Sequence, residues 1–257
     1  MYLNAIKVMS ILAVQDQRKT WEAFYWTLPE YNVCIFLIPS AASGTPSGLQ
    51  TRFAVWCLDY VMNSISISRR YNPLIAELCW QDVKVGEVSI ERTPQPTSSI
   101  AATSLPQRNV RFGNSSSLLN ATKDLNSLSD LGESFVVFFN YNGVTLNSVG
   151  TFLSVLAVMK TSANEGADSR CPGLTVDGPE TVSFQIRSEK DQYGNPLLRY
   201  RHVIRLVRKV AFKMVSNHKF AEMFIVLELN GVKAAEAKFT KIRVPHADAS
   251  DGIQITR

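Results

Sequence analysis

Apolar residues recur along this chain with two periods, and the periods alternate. Over residues 50–66, Ala54, Cys57, Leu58, Val61, Met62 and Ile65 fall on one face at 3.6-residue spacing. Over 198–219, Val203, Leu206, Val207, Val210, Ala211 and Met214 do the same. Each stripe predicts an amphipathic helix. A short apolar run precedes each one, at 33–38 and 181–187, and predicts a strand. After the first helix, 74–80 and 83–91 read as two strands joined at Gln81-Asp82. After the second, the joint is Asn230-Gly231, whose residues both tolerate positive φ and so signal a hairpin.

These features keep a constant spacing. A shift of 149 positions carries residues 33–91 onto 182–240 without a gap. The identities are Val33/Val182, Leu49/Leu198, Arg52/Arg201, Val61/Val210, Leu78/Leu227, Val83/Val232, Lys84/Lys233 and Glu87/Glu236. The same buried face in the same register argues for an internal repeat. A strict two-residue hairpin loop would set Glu87 and Glu236 on the face of Leu78 and Leu227, which is costly for a carboxylate. A three-residue loop or a bulge is therefore expected, turning Val88, Ile90, Ala237 and Phe239 inward.

The remaining segments complete an α+β fold of two related modules, each a mainly antiparallel sheet with helices packed on one face. Residues 1–26 combine helical spacing (Ile6, Met9, Leu12, Ala13) with the aromatic cluster Trp21, Phe24, Tyr25 and Trp26. That cluster reads as core packing of the first repeat, with an aromatic ligand surface as the alternative. Residues 41–48 form a Ser/Gly/Pro loop. Phe135 opens a strand over 135–141, Asn142-Gly143 predicts a turn, Asn147 is placed to cap a helix over 149–160, and a loop surrounds Cys171-Pro172-Gly173. The expected boundaries are a first module at 1–92, a Ser/Pro/Asn-rich linker at 93–132, a second module at 133–242 in the order ββαβαββ, and a polar tail at 243–257. The first module reads as truncated, because the counterpart of 135–142 would lie before Met1.

With 257 residues, 46% of them apolar, the chain can bury one large core or two ordinary ones. The net charge of +5 sits mainly in the second half, where 16 basic residues face 12 acidic ones, against 11 and 10 before it. Cys34, Cys57, Cys79 and Cys171 have no CxxC spacing and no nearby His pair, so they read as packed free thiols. A Cys34–Cys79 disulfide between neighbouring strands and a metal site are the alternatives. No apolar run approaches the length of a membrane span. Lys7 followed by 8–14 imitates an export signal but is closed by Gln15, Asp16 and Gln17 without a cleavage site. Either the chain is not exported by that route, or it begins after the true start. The acceptor patterns at Asn114 and Asn120 matter only for a secreted protein.

The stretches Phe36-Leu-Ile-Pro-Ser40, Leu49-Gln-Thr-Arg-Phe-Ala-Val-Trp-Cys-Leu58, Arg70-Tyr-Asn72 and Leu78-Cys-Trp-Gln-Asp-Val-Lys-Val-Gly86 resemble a group of functionally uncharacterised proteins from filamentous ascomycete fungi. Members of that group carry a Trp-bearing helix, an Arg-Phe/Tyr-Asn step and a strand ending in Trp-Asp-Gly-Val-x-Val-Gly. The likeness covers most of 26–92, and 135–240 is similar to a companion module. Some members begin with an export signal, which implies that secretion is open for this chain if its N-terminus is incomplete. The group implies no activity, cofactor or catalytic residue.

Little in the sequence points to catalysis. His202 falls in the basic helix, His218 at its end and His246 in the tail near Asp248 and Asp251, and each reads as a surface or cap residue. Gly44-Thr-Pro-Ser-Gly48 is not a nucleophile elbow, because its serine is fourth rather than third. Phosphate-cradling Gly loops are missing. No catalytic, cofactor or metal residue is therefore predicted. The sharpest feature is the helix over 198–219, where Arg199, Arg201, Arg205, Arg208, Lys209, Lys213 and Lys219 are unaccompanied by any acid. Arg201, Arg205, Arg208, Lys209 and Lys213 are candidates for binding nucleic acid or an anionic surface. In the first copy, Trp56, Asp59 and Tyr60 replace Arg205, Arg208 and Lys209, so Trp56 and Tyr60 are candidates for contact within the chain. The leading expectation is a non-enzymatic interaction or structural protein with a protein partner. The alternatives are anion binding through the basic helix, and a hydrolase whose site assembles only in three dimensions.

Overall fold

The computed structural model describes residues 1–21, 24–28, 33–40, 49–69, 71–92 and 132–242. The fold is α+β. The N-terminal half runs α1 (Tyr2–Leu12), β1 (Thr20–Trp21), β2 (Phe24–Leu28), β3 (Val33–Pro39), β4 (Leu49–Gln50), α2 (Thr51–Ser68), β5 (Leu74–Trp80) and β6 (Val83–Arg92). The C-terminal half runs β7 (Phe135–Thr145), α3 (Ser148–Glu165), β8 (Gly173–Asp177), β9 (Val182–Ser188), α4 (Tyr200–Ser216), β10 (Ala221–Leu229) and β11 (Val232–Lys241). One sheet has the order β2-β3-β6-β5 and the other β7-β10-β11-β9-β8, all antiparallel, while β1 pairs with β4.

The two sheets correspond pair by pair. Val33 faces Arg92 as Val182 faces Lys241, and Leu74 faces Ile90 as Met223 faces Phe239. Upstream of β3 the offset grows to 150: α1 matches α3, β2 matches β8, and the β1–β4 pair Thr20/Gln50 matches the bridge Arg170/Arg199. Hydrogen bonds follow the same arithmetic. Asn4 Nδ2 donates to the Val33 carbonyl at 2.9 Å, and Ser154 Oγ donates to the Val182 carbonyl at 3.0 Å, tying each first helix to the start of the matching strand.

Both hairpins turn in two residues of positive φ, Gln81-Asp82 and Asn230-Gly231. The pairing then slips at Leu78/Cys79 and at Leu227/Glu228, leaving Val85 and Ala234 as the extra residues of a bulge. Their carbonyls accept from Ser40 N and Glu189 N, the residues following β3 and β9. The slip turns Val88, Ile90, Ala237 and Phe239 into the core. It leaves Glu87 and Glu236 in ion pairs with Lys84 and Lys233 of the same hairpins.

Each sheet buries one face against its own helices, and the helices of the two halves pack on each other. Contacts join α1 to α3, α2 to α3 and α4 to α1, so one hydrophobic core spans both halves. The layers are sheet, helix pair, helix pair, sheet. Asp59 on α2 pairs with Lys160 on α3 across the junction, Nζ to Oδ2 at 2.5 Å. At the symmetric place the offsets put Ser10 and Arg208, residue types that cannot form an ion pair.

Three expectations need correction. Asn142-Gly143 does not reverse the chain: β7 continues to Thr145, and the positive φ of Gly143 serves an irregularity in the β7–β10 pairing, beside which Asn142 Nδ2 donates to Glu222 Oε2 at 2.9 Å. Secondly, the loop around Cys171-Pro172-Gly173 leads into the short edge strand β8, so the C-terminal half reads βαββαββ rather than ββαβαββ. Five residues give too little alternation to stand out from a loop. Finally, β6 lies between β3 and β5, so Cys34 and Cys79 are not on neighbouring strands. Cys34 faces Glu91 and Cys79 faces Lys84, near opposite ends of β6, far beyond the roughly 7 Å Cα limit of a disulfide. Cys57, Cys79 and Cys171 are free thiols, and burial pushes Cys57 up to about 12 and Cys171 up to about 11. The side chains of Phe24, Tyr25 and Trp26, the Asn114 and Asn120 patterns and His246 lie outside the described residues.

Candidate functional site

The basic helix α4 lies over the aromatic side chains of β7. Arg205 holds its guanidinium 4.3 Å from the centre of the Phe135 ring, and Lys209 Nζ sits 5.0 Å from the same ring. Lys209 Nζ also donates to the Phe135 carbonyl at 3.3 Å. Just past the helix end, Lys219 Nζ lies 4.5 Å over Tyr141. Cations laid on aromatic faces bury their stems and keep their charge near the boundary. Burial draws Arg205, Arg208 and Lys209 below their ordinary pKa values. Arg201 pairs with Asp168 of the loop after α3. Lys213 is exposed, and Arg208 is half-buried. Of the five anion-binding candidates, Arg205 and Lys209 lie on Phe135, Arg201 is engaged by a carboxylate, and Lys209 and Lys213 are exposed.

His202 is buried inside the start of α4. Its Nδ1 accepts from Arg199 N at 3.1 Å, closing the helix start, and its Nε2 lies 3.1 Å from Glu133 Oε2. Burial lowers its pKa despite that carboxylate. It is a capping residue. His218 is exposed at positive φ after the helix. Among the described residues, no group of three or more His, Cys, Asp and Glu could hold a metal ion. A shallow depression of about 530 Å³ lies on the outer face of the larger sheet, between Arg187, Phe224 and Lys238.

The N-terminal half differs at the matching positions. Phe53 replaces His202, Trp56 replaces Arg205 and Tyr60 replaces Lys209. Trp56 Nε1 donates to Asn164 Oδ1 of α3 at 3.0 Å, a contact between the halves. Its ring lies 5.9 Å from Trp80 and 6.0 Å from Phe53. Tyr60 is 73% exposed. Trp80, at the end of β5, reaches the place that Phe135 fills beside α4 in the other half.

The cause is the sheet order. β7 covers β10, but among the described residues no strand covers β5. The inward side chains record the difference. Met223, Ile225 and Leu227 of β10 are at most 2% exposed, whereas Leu74, Ala76 and Leu78 at the same positions of β5 are only half-buried. Trp80 at the end of β5, Ile75 on its outer face, and Tyr60, Ile67 and Tyr71 are exposed, as are Val136, Phe138 and Phe224 in the C-terminal half. Sequence reasoning singled out Trp56 and Tyr60 but missed the strand edge next to them. The sequence carries no local signal for it, because the alternation of Leu74, Ala76 and Leu78 looks the same in an edge and in an interior strand.

No protein-family model, no curated protein and no solved structure matches this chain. No described helix is long and apolar enough to cross a membrane.

Proposed function

We propose that the chain is a non-enzymatic interaction protein made of two copies of one α+β unit, and that the β5 side of the N-terminal copy is its contact surface. The observation that carries this reading is the edge position of β5, where Trp80 is exposed on the side of α2, next to Trp56, and Ile75 is exposed on the opposite face of the sheet. Exposed apolar area at an open strand edge supports an interaction surface, although Val136, Phe138 and Phe224 on the larger sheet are exposed as well. The fungal resemblance and the boundaries at 92 and 133 belong to the same proposal. Anion binding has less support, because Arg201, Arg205 and Lys209 are engaged by Asp168 and by Phe135. A hydrolase reading has less support, because His202 closes the start of α4 through Nδ1 and holds Glu133 at Nε2.

The test uses the double variant Tyr60→Glu, Ile75→Lys, both at exposed positions. A protein recovered with the wild type and re-bound in purified form should bind the variant about tenfold or more weakly, with thermal melting unchanged. Equal binding by the two proteins would count against this surface.

A further inference from the structure

We infer that His202 is an acid-operated latch on the start of α4: neutral, it ties that helix to the chain entering β7, and protonated, it releases the first turn. Both ring nitrogens are committed. Nδ1 accepts from the Arg199 N–H at 3.1 Å, while the His202 N–H donates to the Arg199 carbonyl at 2.9 Å. An acceptor at Nδ1 fixes the neutral tautomer, with its proton on Nε2, 3.1 Å from Glu133 Oε2. A second proton sets an N–H at Nδ1 against the Arg199 N–H. Two donors cannot share that line, so the imidazolium keeps Glu133 and gives up the cap. The residue is only 3% exposed, which leaves the parted groups no water unless the turn opens.

Opening there reaches beyond one bond. The Tyr200 N–H donates to the Ser169 carbonyl at 3.2 Å and the Arg201 N–H to the Ala167 carbonyl at 2.8 Å, fastening α4 to the loop after α3. Arg201 also pairs with Asp168 of that loop, and Arg199 lies 3.9 Å from the same carboxylate. Burial opposes the imidazolium most, and Arg201 and Arg199 of α4 add to that opposition, while Glu133 from the chain before β7 favours it. Glu133 also acts on Arg205, the next charged residue along α4. From β7 the ring meets Phe135, which carries no charge, with centroids 6.5 Å apart. The balance sets release below the ordinary histidine value of about 6.5. The N-terminal half has no such latch, because Phe53 stands at the matching position.

The test uses the full chain from about pH 8 to about pH 5, either side of the ordinary histidine value. Imidazole nitrogen NMR reads the tautomer. Hydrogen exchange, expressed as protection relative to an unstructured chain at the same pH, reads the helix start. The neutral ring should carry its proton on Nε2. Protection of residues 199–203 should be constant above about pH 6.5 and fall by up to about tenfold per pH unit below it, until the folded imidazole is itself protonated. Residues 51–54 and 223–229 should hold theirs. His202→Gln puts a non-titrating acceptor at the same helix position and should make protection of 199–203 independent of pH. Glu133→Gln should move the imidazole titration to lower pH. A neutral ring with its proton on Nδ1, wild-type protection that stays constant, an acid loss that persists in His202→Gln, a titration unmoved in Glu133→Gln, or a loss shared equally by 223–229 would each overturn the inference. The tautomer and the wild-type exchange decide without any variant.

Discussion

β5 and β10 occupy the same place in two sheets whose pairing agrees through four strands, yet among the described residues β5 is an edge and β10 lies one strand in. That single difference accounts for much of the divergence between the halves. Where β7 is present, α4 carries Arg205 and Lys209 over Phe135, and Met223, Ile225 and Leu227 are buried. Where no strand is described, α2 carries Trp56 and Tyr60, and Trp80 folds toward Trp56. The basic helix thus lays Arg205 and Lys209 on an aromatic ring and leaves Lys209 and Lys213 exposed.

The comparison can be broken most forcefully at the paired leucines. Leu227→Ala should cost about 2–5 kcal/mol, because a fully buried side chain leaves a cavity. Leu78→Ala at the matching position should cost about half as much, since the side chain is already half in water. Chemical denaturation of the two variants checks this, and equal losses would mean that β5 is as well covered as β10.

The junction between the halves offers the next largest effect. Lys160→Met leaves the Asp59 carboxylate, with 9% of its side chain exposed, without its partner. The cost should be about 1–3 kcal/mol, reduced from that of a deeply buried pair because Lys160 is partly solvated. Arg208→Met, at the position the repeat matches to Asp59, should cost less. Denaturation midpoints read both changes.

The smallest effect concerns the first turn of the second helix in each half, where Phe53 matches His202. Burial holds the folded pKa of His202 below its unfolded value near 6.5. Above that value the imidazole is neutral in both states and adds no pH dependence. As pH falls from about 6.5 toward the lowered folded value, the unfolded chain takes up the proton first, and stability falls by at most about 1.4 kcal/mol per pH unit. His202→Phe should flatten melting temperature against pH over this interval. An unchanged slope would assign the acid sensitivity to other groups.

Much of this architecture was legible because its signals are local. The stripes of α2 and α4, the Asn147 cap and the two-residue turns depend on residues a few positions apart, and the bulges followed from where Glu87 and Glu236 could lie. The α1–α3 match was harder to read, since its offset is 150 rather than 149 and it includes exchanges such as Asn4 for Ser154. The strand β8 was too short to stand out, and Asn142-Gly143 carried turn chemistry that the strand uses for an irregularity. The open edge was not legible at all. Edge or interior status belongs to sheet order, and the alternation of Leu74, Ala76 and Leu78 looks the same in either setting.

Hydrogen exchange of the free protein compares β5 with β10 most directly. With a neighbour on one side only, about half of the amides of residues 74–80 should exchange at the rate of an unprotected chain, while those of 223–229 stay protected on both sides. Equal protection of the two segments would contradict the account.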